Sequence, residues 1–179
     1  MKTTIFQVAV FSAAMISAGT CLSTTARAQS DEAFAKDAAS GGMTEVKLGQ
    51  LAQQKGSSAT VKEFGKRMEM DHTKAGERLK TAASKDNVTL PSDMNAKDRA
   101  TYERLSKLSG TEFDKAYAQD MVKDHETDVA AFKKEATNGK NPDLKQFASE
   151  TLPTLEDHLK MAQDMQKSVG AAQTSSANY

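Results

Sequence analysis

Residues 64–73 read Phe64-Gly-Lys-Arg-Met-Glu-Met-Asp-His-Thr73, and residues 117–126 read Tyr117-Ala-Gln-Asp-Met-Val-Lys-Asp-His-Glu126. At a constant offset of 53 the second stretch repeats the aromatic, the Met, the Asp and the His of the first. Within each stretch the aromatic, the Met and the His are spaced four apart, which stacks their side chains on one face of an α-helix. Two amphipathic helices of the same design follow, each with an apolar stripe broken by a histidine.

Extending the period in both directions predicts four long helices. The one holding the first stretch spans about residues 58–84, with stripe Val61, Phe64, Met68, Ala75, Leu79 and Ala82. It is preceded by a helix over about 31–55 that Gly56 stops, with stripe Phe34, Ala38, Gly41, Leu48 and Ala52. The helix holding the second stretch covers about 111–137. Asn138-Gly139 ends it, and Asn141 with Pro142 opens a last helix through Leu144, Ala148, Thr151, Leu155, Ala162, Met165 and Val169. Pro153 lies inside that helix and predicts a kink ahead of residue 158. Gly41-Gly42 predicts close helix packing or a local bend. Short links make residues 31–84 and 111–169 two antiparallel hairpins. A connection of about 25 residues, with a short helix near 96–108, joins them, which is the ferritin-like variant of the four-helix bundle. The abundance of Ala, Lys, Glu, Gln, Leu and Met, without Trp, suits an all-α fold.

Each stripe lacks one apolar step, filled by Glu45, His72, His125 and His158 in turn. Those are the only histidines in the chain, and Asp71, Asp124 and Asp157 precede them. Counted from the hairpin turns, Glu45 and His72 differ in depth by roughly 6 Å at 1.5 Å per residue, and His125 and His158 by a similarly small offset. Burying a carboxylate and three imidazoles costs several kcal/mol unless they satisfy one another or bind a cation. A divalent metal on Glu45, His72, His125 and His158 resolves that cost. With no thiolate in the exported chain, zinc, copper(II), iron and nickel suit the donors. Glu69, three residues before His72, supplies half of a dinuclear carboxylate signature; Leu155 stands where the other half would need a Glu. The three Asp residues read as outer partners of the rings. Met68 and Met121, one turn before His72 and His125, are possible soft ligands or gap-filling core residues.

Other roles for the same residues stay open. A single histidine on an apolar stripe is most often a hydrogen-bonded core residue, so the chain could be a structural or interaction protein of the cell envelope. The His and Glu cluster could also act as a proton switch. Nothing in the sequence supplies a nucleophile elbow, a phosphate loop or another defined catalytic apparatus.

The N-terminus points to export. Lys2, an apolar run from Ile5 to about Ile16 and the small-x-small site Ala26-Arg27-Ala28 have the layout of a signal peptide over residues 1–28. Cleavage there removes Cys21, the only cysteine, and leaves 22 basic against 24 acidic side chains. That mixed surface lacks the basic stripe of a nucleic-acid binder, and no later run is apolar enough to span a membrane. About 151 residues remain, one domain's worth. Residues 29–169 form the bundle, and the small polar tail 170–179 is expected to be disordered.

The segments from Ala38 to Ala52, from Val61 to His72, from Gly110 to Tyr117, from Met121 to His125 and from Thr151 to Leu159 together resemble the bacterial DUF4142 family, in order and in spacing. The resemblance implies an exported ferritin-like bundle of Gram-negative bacteria, periplasmic or associated with the outer membrane, in a family whose function is not defined. By analogy with other periplasmic His- and Met-rich bundles, it suggests metal handling or envelope stress.

Overall fold

The computed structural model describes residues 22–176, with side chains from 31 to 171. Five helices follow in order: α1 (Leu22–Lys55), α2 (Ala59–Lys85), α3 (Ala96–Ser106), α4 (Gly110–Asn138) and α5 (Pro142–Ser176). Among the described residues no helix is long and apolar enough to cross a membrane. Of the expected signal peptide, residues 1–21 lie outside the described residues.

The long helices pair as two hairpins, α1 with α2 and α4 with α5, and the pairs associate through α2 against α5 and α1 against α4. Both α2 and α4 start at the end of the bundle where Gly56 pairs with Gly110. The chain must therefore travel the bundle's length between Lys85 and Gly110, and it does so with α3 lying against α1. Asn95 caps α3 by accepting from the Asp98 amide at 2.9 Å. Ser40 ties this connection to α1 by donating to the Asp98 carboxylate and accepting from the Asn95 amide. At Gly110 φ is +60°, a conformation that favours glycine where the chain turns into α4.

Each hairpin turn is held by a buried aspartate of the other hairpin. Asp114 of α4 accepts from the amides of Ser57 at 3.0 Å and Ser58 at 2.8 Å, doing for the start of α2 what the Ser58 side chain does not. Asp31 of α1 accepts from the amides of Lys140 and Asn141 at 2.7 and 2.8 Å. These charge-assisted bonds satisfy amides that helix starts leave without partners, and they fasten the hairpins to each other at both ends.

Near the Asp31 end, Glu135 is buried with Oε1 unpartnered. Burial, and then the Asp31 charge, push its carboxyl up to about 7. Between its ordinary value and about 7 the folded chain binds more protons than the unfolded one, so stability falls as pH rises through that range. Glu135→Gln is expected to flatten this dependence. At pH 8 the variant should melt higher by about 2–4 °C, for a gain on the order of 1 kcal/mol in a chain of this size. Thermal melts of both proteins between pH 5 and pH 8 check it.

Two glycines set the spacing of α1 and α2. A Cβ on Gly49 would lie 2.4 Å from the Gly65 carbonyl oxygen, and one on Gly65 would lie 2.7 Å from the Gly49 carbonyl oxygen. Close packing thus belongs to this pair, and the expectation attached to Gly41-Gly42 is corrected. Both of those positions face open space, and α1 runs unbroken through them. Helix α5 is likewise continuous through Pro153, whose side chain is exposed. It extends to Ser176, and residues 177–179 of the tail expected from residue 170 lie outside the described residues.

The apolar interior is divided in two. One cluster, including Leu48, Phe64, Met68, Phe113, Tyr117, Met121 and Met165, fills the Gly56–Gly110 end. The other, including Ala35, Leu79, Phe132, Leu144, Phe147 and Leu155, fills the opposite end. In sequence, the interrupting residues of all four stripes fall between them.

Candidate metal centre

His72 on α2, His125 on α4 and His158 on α5 converge between the two apolar clusters. Their ring centroids are 5.4 to 5.9 Å apart. Each ring offers a nitrogen, and the three nitrogens lie within 4.8 Å of one another. Some point is then within about 2.8 Å of all three, against about 2.0–2.1 Å for a zinc–imidazole bond.

Hydrogen bonds settle which nitrogen of His125 and of His158 keeps its lone pair. His125 Nδ1 lies 2.9 Å from the Met121 carbonyl oxygen, which can only accept, so Nδ1 carries the proton and Nε2 holds the lone pair. His158 Nε2 lies 2.9 Å from Asp71 Oδ2 and donates to it, leaving the lone pair on Nδ1. His125 Nε2, His158 Nδ1 and His72 Nε2 are all buried without a hydrogen-bond partner. An unmatched buried polar atom costs about 1–3 kcal/mol. Each of the three rings thus carries a polar atom that the chain itself leaves unmatched.

The rings are also held neutral, the state that binds metal. Burial lowers His72 well below its ordinary value, with His125 and His158 adding to the effect. His125 falls to about 4, from burial and the neighbouring His158. Burial lowers His158 too, against the pull of Asp71. Asp71 itself stays below its ordinary value, because bonds from Arg67 and His158 outweigh its partial burial. Arg67 donates to the same carboxylate, making an Arg67–Asp71–His158 chain that runs from the surface to the centre. Such an outer carboxylate orients the ring and raises its basicity.

Glu45 does not join the three rings as one set. It is 1% exposed, with neither oxygen partnered, and it groups with Asp124 and His125 alone. Along α1 it lies between Ala35 of the opposite cluster and Leu48 of the Gly56–Gly110 cluster, three residues from Leu48. Burial, then Asp124, raise its carboxyl well above the ordinary range. Glu69 is turned to the α1–α2 seam, half-buried, where it accepts from Gln50 and Gln53 at 2.9 and 2.8 Å. Asp157 is exposed. Met68 and Met121 belong to the apolar cluster, and Met121 serves His125 through its carbonyl.

Two further groups escaped the stripe reading. The Tyr117 hydroxyl is buried without a hydrogen-bond partner, and burial, then the Glu45 charge, push it well above its ordinary value. Asp128 is pushed up to about 8 by burial and then by Asp124 and Asp98. Tyr117 counted only as an aromatic of its stripe. Asp128, three residues after His125 and four after Asp124, lay on a face that the spacing alone could have marked.

A cleft of about 360 Å³ leads to this layer, lined by His72, Gly42, Gly76, Leu79, Phe132 and Leu155 among others. Neither Gly42 nor Gly76 packs against anything, so their missing side chains keep the cleft wide.

Fold and site together define a helical bundle with three imidazoles gathered in its core. The family model "Domain of unknown function (DUF4142)" matches residues 18–165, and the chain belongs to that family. No curated protein and no solved structure matches it.

Proposed function

We propose that this is a periplasmic, ferritin-like bundle that binds a divalent transition metal (zinc, copper or iron) on His72, His125 and His158, and that it serves metal handling or envelope stress without a catalytic cycle. The observation that carries the reading is three buried imidazoles that each offer a nitrogen within 4.8 Å of the others, each ring also holding a buried nitrogen without a hydrogen-bond partner. Neutral nitrogen donors suit these borderline ions. Three protein ligands leave a coordination position free, and the cleft at His72 gives a small molecule a way toward it. Export is supported by the sequence of residues 1–28, and the ferritin-like assignment by two hairpins joined through a connection as long as the bundle.

Calorimetric titration of the mature protein with Zn²⁺, Cu²⁺ and, under anaerobic conditions, Fe²⁺ tests the proposal. One ion per chain is expected at the three-histidine centre, with affinity reduced at least 100-fold in His158→Ala. Asp71→Asn should weaken binding by about 10–100-fold through loss of the oriented ring. Failure of all three ions to bind the wild-type protein would sink the reading.

A further inference from the structure

His125 faces a second set of donors besides His72 and His158. Glu45, Asp124 and His125 each offer a ligand atom, and these lie within 4.8 Å of one another. The two sets share His125 alone. Its Nδ1 is engaged by the Met121 carbonyl, so Nε2 is the only nitrogen it can give, and one nitrogen holds one ion at a time.

The second set opens toward solvent by its own route. A cleft of about 220 Å³ between α1, α3 and α4 is lined by Glu45, Asp98, Asp120 and Asp124, with Lys97 and Lys123 also present. Arg104, also on its wall, is paired with Asp120. Clustered carboxylates alone would be an ordinary solvated surface. Glu45 is what distinguishes this place: a carboxyl 1% exposed that no amide, hydroxyl or basic donor reaches, lining the cleft and set against the Asp124 carboxylate.

We infer that Glu45 and Asp124 form a second divalent-cation position, rich in oxygen donors, which takes ions from solvent and passes them through His125 Nε2 to the three-histidine centre. Its oxygen donors suit manganese(II) and iron(II). The binding position stands on Glu45 and Asp124 by themselves; the transfer step rests on the three-histidine reading proposed above. The transfer balances as ligand exchange: carboxylate oxygens leave the ion as imidazole nitrogens replace them, with no change of oxidation state.

Mn²⁺ is the probe, followed by electron paramagnetic resonance of the free aqueous ion in titrations of the full mature chain. Three proteins are compared: wild type, Glu45→Gln/Asp124→Asn and His72→Ala/His158→Ala. The carboxylate variant should bind Mn²⁺ at least 10-fold more weakly than wild type, and the histidine variant within about threefold of it. Stopped-flow loading of Zn²⁺ should be at least 10-fold slower in the carboxylate variant, with its final Zn²⁺ stoichiometry at the histidines unchanged.

Equal Mn²⁺ affinity in wild type and the carboxylate variant, or no Mn²⁺ binding to wild type, overturns the second position. Equal Zn²⁺ loading rates overturn the transfer step. If the histidine variant keeps all Zn²⁺ binding while the Mn²⁺ results hold, the three-histidine reading and the transfer step fall and the carboxylate position stands. Circular dichroism checks folding of each variant. Should the double carboxylate change unfold the chain, Asp124→Asn alone, at a half-buried position, carries the same comparison.

Discussion

Gly49→Ala is expected to destabilise the protein by about 2 kcal/mol or more, whereas Gly42→Ala, seven residues earlier on the same helix, is expected to stabilise it by about 0.5–1 kcal/mol. In an ideal helix both changes gain from the lower backbone entropy cost of Ala over Gly. What separates them is the neighbour. The added Cβ at Gly49 would lie 2.4 Å from the Gly65 carbonyl oxygen and 3.0 Å from the Glu69 amide nitrogen. Both are backbone atoms of α2, so no rotamer change relieves the contact and the helices must part. Separation there disturbs the packing of Leu48, Ala52, Phe64 and Met68 in the apolar cluster that adjoins the histidine layer. At Gly42 a Cβ meets nothing within 4 Å, and the propensity gain is realised in full. Urea melts of the two variants read both signs, and a stable Gly49→Ala protein would show that α1 and α2 do not pack as described.

The same pair of positions shows where the sequence was legible and where it was not. Helical period and the repeat at 64–73 and 117–126 located four long helices and three inward histidines, because a stripe is a local property of a chain with 3.6 residues per turn. Gly41-Gly42 stood out as a doublet, yet the glycines that matter are Gly49 and Gly65, single residues whose role exists only once two helices cross. Asp31 and Asp114 were equally silent: each caps a turn far away in sequence, and no local pattern announces a partner across the bundle. Glu45 was visible as a break in its stripe. Its grouping with Asp124 and His125 was not, because it depends on how α1 and α4 are set against each other, a distance that no count along the chain gives.

Zinc is expected to raise the unfolding midpoint of the metal-free protein by about 5–15 °C, and His125→Leu should abolish that gain. An ion present at 100 to 1,000 times its dissociation constant, and bound by the folded chain alone, contributes about 2.7–4.1 kcal/mol, and each kcal/mol is worth about 2–4 °C at this size. Leucine is chosen because it separates the metal role of His125 from a structural one. If the ring were kept for its bond to the Met121 carbonyl, its loss would destabilise the metal-free chain. If it is kept for metal, the apo protein carries an unmatched Nε2 in a wholly buried position, and an apolar side chain of similar size should leave metal-free stability unchanged or raise it while zinc ceases to matter. Acidity gives an independent reading of the same ring. With its folded pKa lowered to about 4 from an unfolded value near 6.5, the unfolded chain binds more protons than the folded one across that interval. The metal-free wild type should therefore lose stability as pH falls from about 6.5 to about 4, on the order of 3 kcal/mol from His125, and His125→Leu should lose correspondingly less. Protons and zinc compete for the same nitrogens, so the zinc-dependent gain should shrink over the same interval. A midpoint that ignores zinc at pH 7, in a protein whose acid sensitivity survives His125→Leu, would leave the three imidazoles as packing residues and remove the case for a metal centre.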